Sequence, residues 1–114
     1  MTGKFGPEHQ FAQGDHRSRN RLFKSENYKR VQAALDNLRP IAERYEVSLA
    51  QLALAWLIAQ PRTCAIAGAR NAEQVSGNAK AAAVQLSPDD LAEVDGIGRT
   101  VTDHLDDNPV MWEF

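Results

Sequence analysis

The sequence predicts part of an α/β fold, mainly α-helical with one short strand. Capping signatures at Ser48 and Ser87 mark the starts of two strong helices. A short, apolar and partly β-branched run at 63–68 predicts a buried strand that ends in a glycine. The order helix, strand, helix is typical of one slice of an α/β protein. Because one strand cannot pair its own backbone groups, the pattern favours a fragment, or a strand that pairs with another chain.

Bulk properties predict a soluble, cytoplasmic chain with one core. The 114 residues are 43% hydrophobic and 25% charged, close to an average globular domain. The net charge of -2 gives no overall attraction to nucleic acid or to an anionic membrane. The single cysteine, Cys64, and the lack of a signal-like N-terminus fit a reducing compartment. The longest apolar stretch, 52–59, is too short to span a bilayer.

The predicted elements follow apolar periodicity and capping residues. Ser25 is the expected N-cap of a first helix over about 26–45, which Pro40 should kink or divide. The second helix, which starts at Ser48 and ends at Pro61, is apolar nearly all round and needs burial on most sides. Pro88 opens the fourth helix, and Gly96 should end it. The predicted order is a loop over 1–24, a helix pair over 25–60, a strand over 63–68, helices over 71–83 and 87–96, and a tail over 97–114.

The turn between the predicted strand and the third helix is the candidate site. Gly68 would let a ligand approach the backbone closely, and the free N–H groups of the helix start favour an anion, with Ala69 included in the cofactor-binding turn. Arg70 offers a planar, charged fork for a phosphate. Gln74 and Asn78, one helical turn apart, could hydrogen-bond a purine or a ribose. The alternative is an ordinary strand–helix turn, with Arg70 on the surface, Gln74 as a capping partner and Asn78 solvated.

The spacing Gly-x-Arg-x-x-x-Gln-x-x-x-Asn resembles the C-terminal signature of bacterial-type aldo-keto reductases. Three other stretches are similar to the same family, namely Leu38-Arg39-Pro40-Ile41-Ala42, Ser48 to Leu57, and Leu86 to Leu91. The resemblance implies that Arg70 meets the 2'-phosphate of NADP and that Gln74 and Asn78 bind its adenosine end. It also implies a (β/α)8 TIM barrel as the parent fold, which needs about 250 residues, so this chain would be its last part.

The resemblance extends to the N-terminal segment. Thr2-Gly3-Lys4-Phe5 looks like the turn after the family's seventh barrel strand, which implies that Gly3, Lys4 and Phe5 lie along the cofactor. The family's catalytic tetrad lies in earlier strands, so no catalytic residue is expected here. The implied function is the NADP-binding segment of an enzyme that transfers hydride between NADPH and a carbonyl or alcohol. The chain alone is expected to be inactive, and to self-associate or require a complementing N-terminal half.

The remaining reactive residue types are expected to be structural or solvated. This applies to His9, His16 and His104, to the acidic tail residues Asp103, Asp106 and Asp107, to Cys64 as a small buried hydrophobe, and to Trp56 as core. The role of Trp112 stays open. Two other functions were weighed: a non-enzymatic helical interaction module, and a nucleic-acid binder using the basic run 16–24. The acidic balance and the lack of interleaved aromatic residues disfavour the second.

Overall fold

The computed structural model describes residues 5, 6, 9–106, 108, 110 and 111. Within them lie four α-helices: α1 (Ser25–Arg44), α2 (Leu49–Ile58), α3 (Ala72–Lys80) and α4 (Pro88–Thr102). Three 3-10 helices accompany them, at His16–Arg19, Arg21–Phe23 and Ala81–Ala83. The described part of the chain is therefore mainly helical, as predicted. None of these helices is long and apolar enough to cross a membrane.

The core lies between α1, α2 and α4. One buried cluster joins the first half of α1 to the end of α4 through Val31, Ala34, Leu35 and Val101. A second joins the end of α1 to α2 and the middle of α4 through Ile41, Ala42, Leu52 and Val94. Ile41 and Leu52 are 0% and 1% exposed. Helix α3 contributes no buried residue and lies against α2 and the 3-10 turn that follows it.

One prediction about α1 was wrong, and of the two outcomes expected at Pro40, a kink or a division, the division does not occur. The helix begins one residue early, because the N–H of Tyr28 donates to the carbonyl of Lys24, which makes Lys24 rather than Ser25 the N-cap. The helix also runs through Pro40 without division. Proline costs the helix one hydrogen bond, but the next residue, Ile41, is wholly buried in the second cluster. Burial of that side chain offsets the loss and keeps the two halves in one helix.

The predicted end of α4 at Gly96 was also wrong. The helix continues through Gly96 and Gly98 to Thr102. A glycine inside a helix costs about 1 kcal/mol relative to alanine. Ile97 and Val101 lie beyond Gly96 and pack on the first cluster, with Val101 8% exposed. The packing of these two side chains keeps the last turns helical, whereas the glycine at position 96 alone predicted the end of the helix.

The predicted strand at 63–68 is absent from the described residues. The segment has no regular structure, and Ile66 is fully exposed at 101%. Cys64, predicted to be buried, is exposed for the same reason. A strand needs a neighbour to pair with its N–H and C=O groups, and the described chain offers none to this segment. The apolar composition here is thus not matched by burial.

Helix α2 is less buried than its apolar composition requires. Leu52 and Ala55 are buried, Trp56 is half-buried and Ile58 is 37% exposed. Trp56, predicted as core, packs against the second cluster, and its indole Nε1 is buried without a hydrogen-bond partner among the described residues. The outer face of α2 is therefore an apolar surface left open in this chain.

The N-terminal segment is more ordered than a structureless loop. Its 3-10 helices are capped by Asp15 and by the buried Asn20, whose Oδ1 accepts from the N–H of Leu22 at 2.9 Å. The N–H of Arg21 donates to the carbonyl of Met111 at 2.8 Å, and its guanidinium pairs with Asp106. These contacts tie the segment to the tail.

The start of α4 is tied to the end of α1 through Asp90. Its carboxylate accepts hydrogen bonds from the Tyr45 hydroxyl, the Ser87 hydroxyl and the Arg44 guanidinium. The same Tyr45 hydroxyl accepts from the N–H of Ser87 at 3.0 Å. Ser87 caps the helix as predicted, since its Oγ accepts from the N–H of Asp90, but the reciprocal bond of a capping box is replaced by the bond to Tyr45. The donors, Tyr45 first, lower the pKa of Asp90 from 3.8 to about 2.

This lowered pKa predicts a loss of stability in acid. Because the folded-state pKa lies below the unfolded value, the stabilising effect of Asp90 is complete above about pH 4 and is lost as the pH falls toward 2. We expect Asp90→Asn to reduce this acid-dependent loss. Urea unfolding at a series of pH values measures it, with Asp89→Asn, which removes an exposed neighbouring carboxylate, as control. Equal acid dependence in wild type and Asp90→Asn would contradict this role.

Candidate functional site

The turn that leads into α3 is built by side chains of the turn itself. Asn71 is the N-cap: its Oδ1 accepts from the N–H of Gln74 at 2.9 Å, and its carbonyl accepts from the N–H of Val75. A side-chain oxygen at this position satisfies one of the free donors of the first helical turn. The prediction that a helix starts at this asparagine is confirmed to within one residue.

Two amide side chains fold back onto the turn. The Oε1 atom of Gln74 accepts from the N–H of Arg70 at 2.8 Å, and the Nδ2 atom of Asn78 donates to the carbonyl of Gly68 at 3.3 Å. Gln74 was predicted to bond the N–H of Asn71, but it reaches one residue further back. These bonds use the oxygen of Gln74 and the nitrogen of Asn78. In the described part of the chain they leave one amide donor group and one amide acceptor for a ligand.

Arg70 lies on the solvent side of this turn. It is exposed, and its guanidinium has no ion pair or hydrogen bond among the described residues. Ala69 and Gly68 beside it are exposed too, and a Cβ placed on Gly68 would meet no atom within 4 Å. The arginine fork and the open backbone are therefore both accessible, which an anionic ligand requires.

A cleft of about 410 Å³ separates the start of α2 from α3. Its walls are formed by the residues Ser48, Ala50, Gln51, Asn71, Glu73, Gln74, Gly77 and Asn78. The lining is polar and mostly uncharged, with Glu73 as its one ionisable side chain. The structure thus brings Gln74 and Asn78 together on one cleft wall, while Arg70 lies outside the cleft at the preceding turn.

Glu73 works against an anion at this turn, and so does the use of the Arg70 and Gln74 N–H groups by side-chain oxygens. The Glu73 carboxylate lies in the first turn of α3, where it interacts favourably with the helix dipole. A phosphate bound at the helix start would share that positive end and be repelled by the carboxylate. The guanidinium of Arg70, three residues earlier, is the group available to offset this repulsion.

Comparison with known proteins decides the family. The chain matches the aldo/keto reductase family over residues 1–99. It belongs to the aldo/keto reductase family. An uncharacterized oxidoreductase of Mycobacterium bovis and one of Mycobacterium tuberculosis are each 44% identical to it over 87 residues, which are 76% of this chain and 26% of each relative. An aldo-keto reductase of Strobilurus tenacellus is 26% identical over 95 residues, 82% of this chain and 28% of that protein. This reductase-family chain spans about a quarter of the length of the relatives it matches.

Of the N-terminal residues that the resemblance assigned to the cofactor, the structure describes only Phe5. Gly3 and Lys4 lie outside the described residues. Phe5 does not line the cleft; its carbonyl accepts from the Tyr28 hydroxyl and the Gln32 amide, each at 3.0 Å, which holds it against α1. Its role at a cofactor stays a prediction.

Phe5 belongs to a cluster of aromatic rings in the N-terminal segment. Its ring stacks on His9 with centroids 4.2 Å apart and meets Phe11 edge-on at 5.4 Å. The Arg17 guanidinium lies 4.9 Å from the Phe5 centroid and 4.8 Å from that of Phe11. The carboxylate of Asp15 holds it there through hydrogen bonds. Ring packing and these hydrogen bonds together account for the order of the N-terminal segment.

The other described residues considered from the sequence do not line the cleft. His9, His16 and His104 are exposed, as predicted. Asp103 is exposed and Asp106 pairs with Arg21, while Asp107 and Trp112 lie outside the described residues. No group of three or more metal-binding side chains occurs among residues the structure describes.

The sequence interpretation missed one residue of the cleft. Gln51 was interpreted only as the capping partner of Ser48, which it is. Its Nε2 atom also donates to the carbonyl of Gly77 in α3, at 2.9 Å. The local sequence pattern does not indicate a contact between two residues that are 26 positions apart.

Proposed function

We propose that this chain is the NADP-binding C-terminal segment of an aldo-keto reductase. The observation that carries the proposal is the exposed, unengaged Arg70 beside two amide side chains that are held by the turn itself. Arginine recognises a phosphate through charge-assisted hydrogen bonds, and the amides offer a donor and an acceptor to the adenosine. Family membership supports a nicotinamide cofactor. The choice of NADP rather than NAD is our inference from Arg70.

The described residues fit such a cofactor at its adenosine end. The Arg70 guanidinium is free among the described residues to meet a 2'-phosphate, and the cleft wall holds Gln74 and Asn78 one helical turn further on. NADPH would supply the hydride for reduction of a carbonyl, whereas this segment binds and orients the adenosine portion. No described residue of the chain is assigned a catalytic role.

The exposed segment at 63–68 supports the parent fold. It is apolar and pairs with no strand among the described residues, and Ile66 and Val75 on either side of the turn are 101% and 58% exposed. We propose that this segment is the last strand of a TIM barrel whose other strands come from a complementing N-terminal part. Self-association would cover the same surface in a preparation of this chain alone. We propose a cytoplasmic location, which the single cysteine, Cys64, supports.

A calorimetric titration of the chain with NADPH and with NADH tests the proposal. Charge-assisted hydrogen bonds to the 2'-phosphate should make NADPH bind roughly ten- to a hundredfold more tightly than NADH. We also expect no NADPH oxidation in the presence of aldehydes, because the chain supplies binding and not the acid–base groups. Equal affinity for the two nucleotides, or binding of neither, would contradict NADP recognition here.

An apolar groove of about 400 Å³ favours a second candidate function. It runs between α1, α2 and α4 and is lined mainly by Leu35, Leu38, Leu49, Leu52, Trp56 and Val94. A helical interaction module would use such a surface to bind an amphipathic helix of a partner. The same calorimetric titration separates the candidates, because an interaction module of this kind has no affinity for a dinucleotide.

A further inference from the structure

Gln51 joins the start of α2 to α3 through one side chain. Its Oε1 atom accepts from the N–H of Ser48 at 3.0 Å and from the Ser48 hydroxyl at 3.2 Å. Its Nε2 atom donates to the carbonyl of Gly77 at 2.9 Å. The oxygen thus completes the capping box of α2 while the nitrogen reaches across the cleft.

Helix α3 has few other attachments. None of its residues is buried, and Val75 is 58% exposed. In the part of the chain that the structure describes, the bond from Gln51 is the hydrogen bond that links α2 to α3. Gly77 lies in the last turn of α3, whose carbonyls have no partner within the helix. The Gln51 amide therefore satisfies a carbonyl that the helix itself leaves open.

We propose that Gln51 is a positioning residue for the adenosine-binding wall of the cleft. Gly77 immediately precedes Asn78, and Gln74 lies one turn earlier on the same helix. The 3-10 turn after α3 packs on α2 with Ala81 1% exposed, and the bond from Gln51 adds a directional contact that sets the distance of these two amides from α2. The inference rests on the proposed function, because it gives α3 the task of binding adenosine.

The substitution Gln51→Glu separates this role from helix capping. Glutamate keeps the acceptor oxygen that the capping box needs, but it has no amide hydrogen to give to Gly77. We expect dissociation constants for both NADPH and NADH to rise about three- to tenfold, the value of one hydrogen bond. The thermal midpoint should fall by roughly 3–6 °C, because the same bond also stabilises the fold. Both nucleotides are affected because the adenosine is common to them.

Two variants serve as controls. Gln85→Glu introduces the same charge at an exposed residue between the third 3-10 helix and α4, and should leave both dissociation constants unchanged. Ser87→Ala removes the capping hydroxyl of α4, which lies outside the cleft, and keeps the Gln51–Gly77 bond. It should lower the thermal midpoint and leave nucleotide affinity nearly unchanged.

Amide hydrogen exchange gives a readout that does not depend on the cofactor. In Gln51→Glu, exchange should accelerate in α3 and stay the same in α2. Binding of both nucleotides at wild-type strength by Gln51→Glu, or unchanged exchange in α3, would overturn the positioning role while leaving the proposed function intact. Absence of nucleotide binding by the wild-type chain would overturn both the positioning role and the proposed function. The exchange data would then still report whether the Gln51–Gly77 hydrogen bond stabilises α3.

Discussion

Replacing Arg70 by alanine is expected to weaken NADPH binding by roughly one to two powers of ten and to leave NADH binding nearly unchanged. The 2'-phosphate of NADPH carries negative charge that NADH lacks, and the guanidinium is the group placed to meet it. The bond from Arg70 to Gln74 uses the backbone N–H. Alanine retains that N–H, so the substitution removes the charged fork without removing the turn. Dissociation constants for both nucleotides in one buffer provide the measurement.

The matched variants are Gln74→Ala and Asn78→Ala. Adenine and the rest of the ribose are common to the two nucleotides, so these variants should weaken NADPH and NADH alike. If Arg70→Ala lowers both affinities by the same factor, the arginine contributes to the helix start and not to phosphate recognition. The turn would then be an ordinary structural one.

Leu52→Ala is expected to lower the free energy of unfolding by about 2–5 kcal/mol, the usual cost of truncating a buried leucine. Leu52 is 1% exposed and packs in the cluster that joins α1, α2 and α4. For a domain of this size the thermal midpoint should fall by about 8–20 °C. Thermal unfolding followed by circular dichroism measures the change.

Ile58→Ala is the matched control on the same helix. Ile58 is 37% exposed, so its truncation removes less buried surface and should cost much less stability. Equal losses from the two substitutions would mean that α2 does not turn the Leu52 face toward the core. The account of the three-helix core would then be wrong.

The starts of α2, α3 and α4 were predictable because capping is local, whereas α1 begins after Lys24 without a side-chain cap. Ser48, Asn71 and Ser87 each accept a hydrogen bond from the N–H three residues later, as their spacing indicated. The helix ends were less predictable. Pro40 and Gly96 are local breakers, yet buried residues beyond each of them keep the helix intact. Such long-range packing overrides propensity and is invisible in a short window.

The strand predicted at 63–68 is absent from the described residues for a reason that differs from the one at the helix ends. A helix satisfies its backbone within itself, whereas a strand depends on neighbours that are distant in sequence or in another chain. Ile66 is fully exposed, so the composition of this segment indicates burial that the described chain does not provide. The missing partner is the simplest physical account of the difference.

The candidate site was partly predictable. The motif indicated Arg70, Gln74 and Asn78, and the structure places the last two on one cleft wall. The inward hydrogen bonds of these amides and the bond from Gln51 to Gly77 were not foreseen, because they depend on how α2 and α3 pack. The proposed contribution of Gly3 and Lys4 stays a prediction.

The most direct test of the central claim is a nuclear magnetic resonance titration of the chain with adenosine 2',5'-bisphosphate. This ligand carries the adenosine and the 2'-phosphate without the nicotinamide. The account predicts that backbone amide shifts change at 68–78, in the turn and in α3. Changes confined to the groove between α1, α2 and α4, or no change at millimolar ligand, would contradict it.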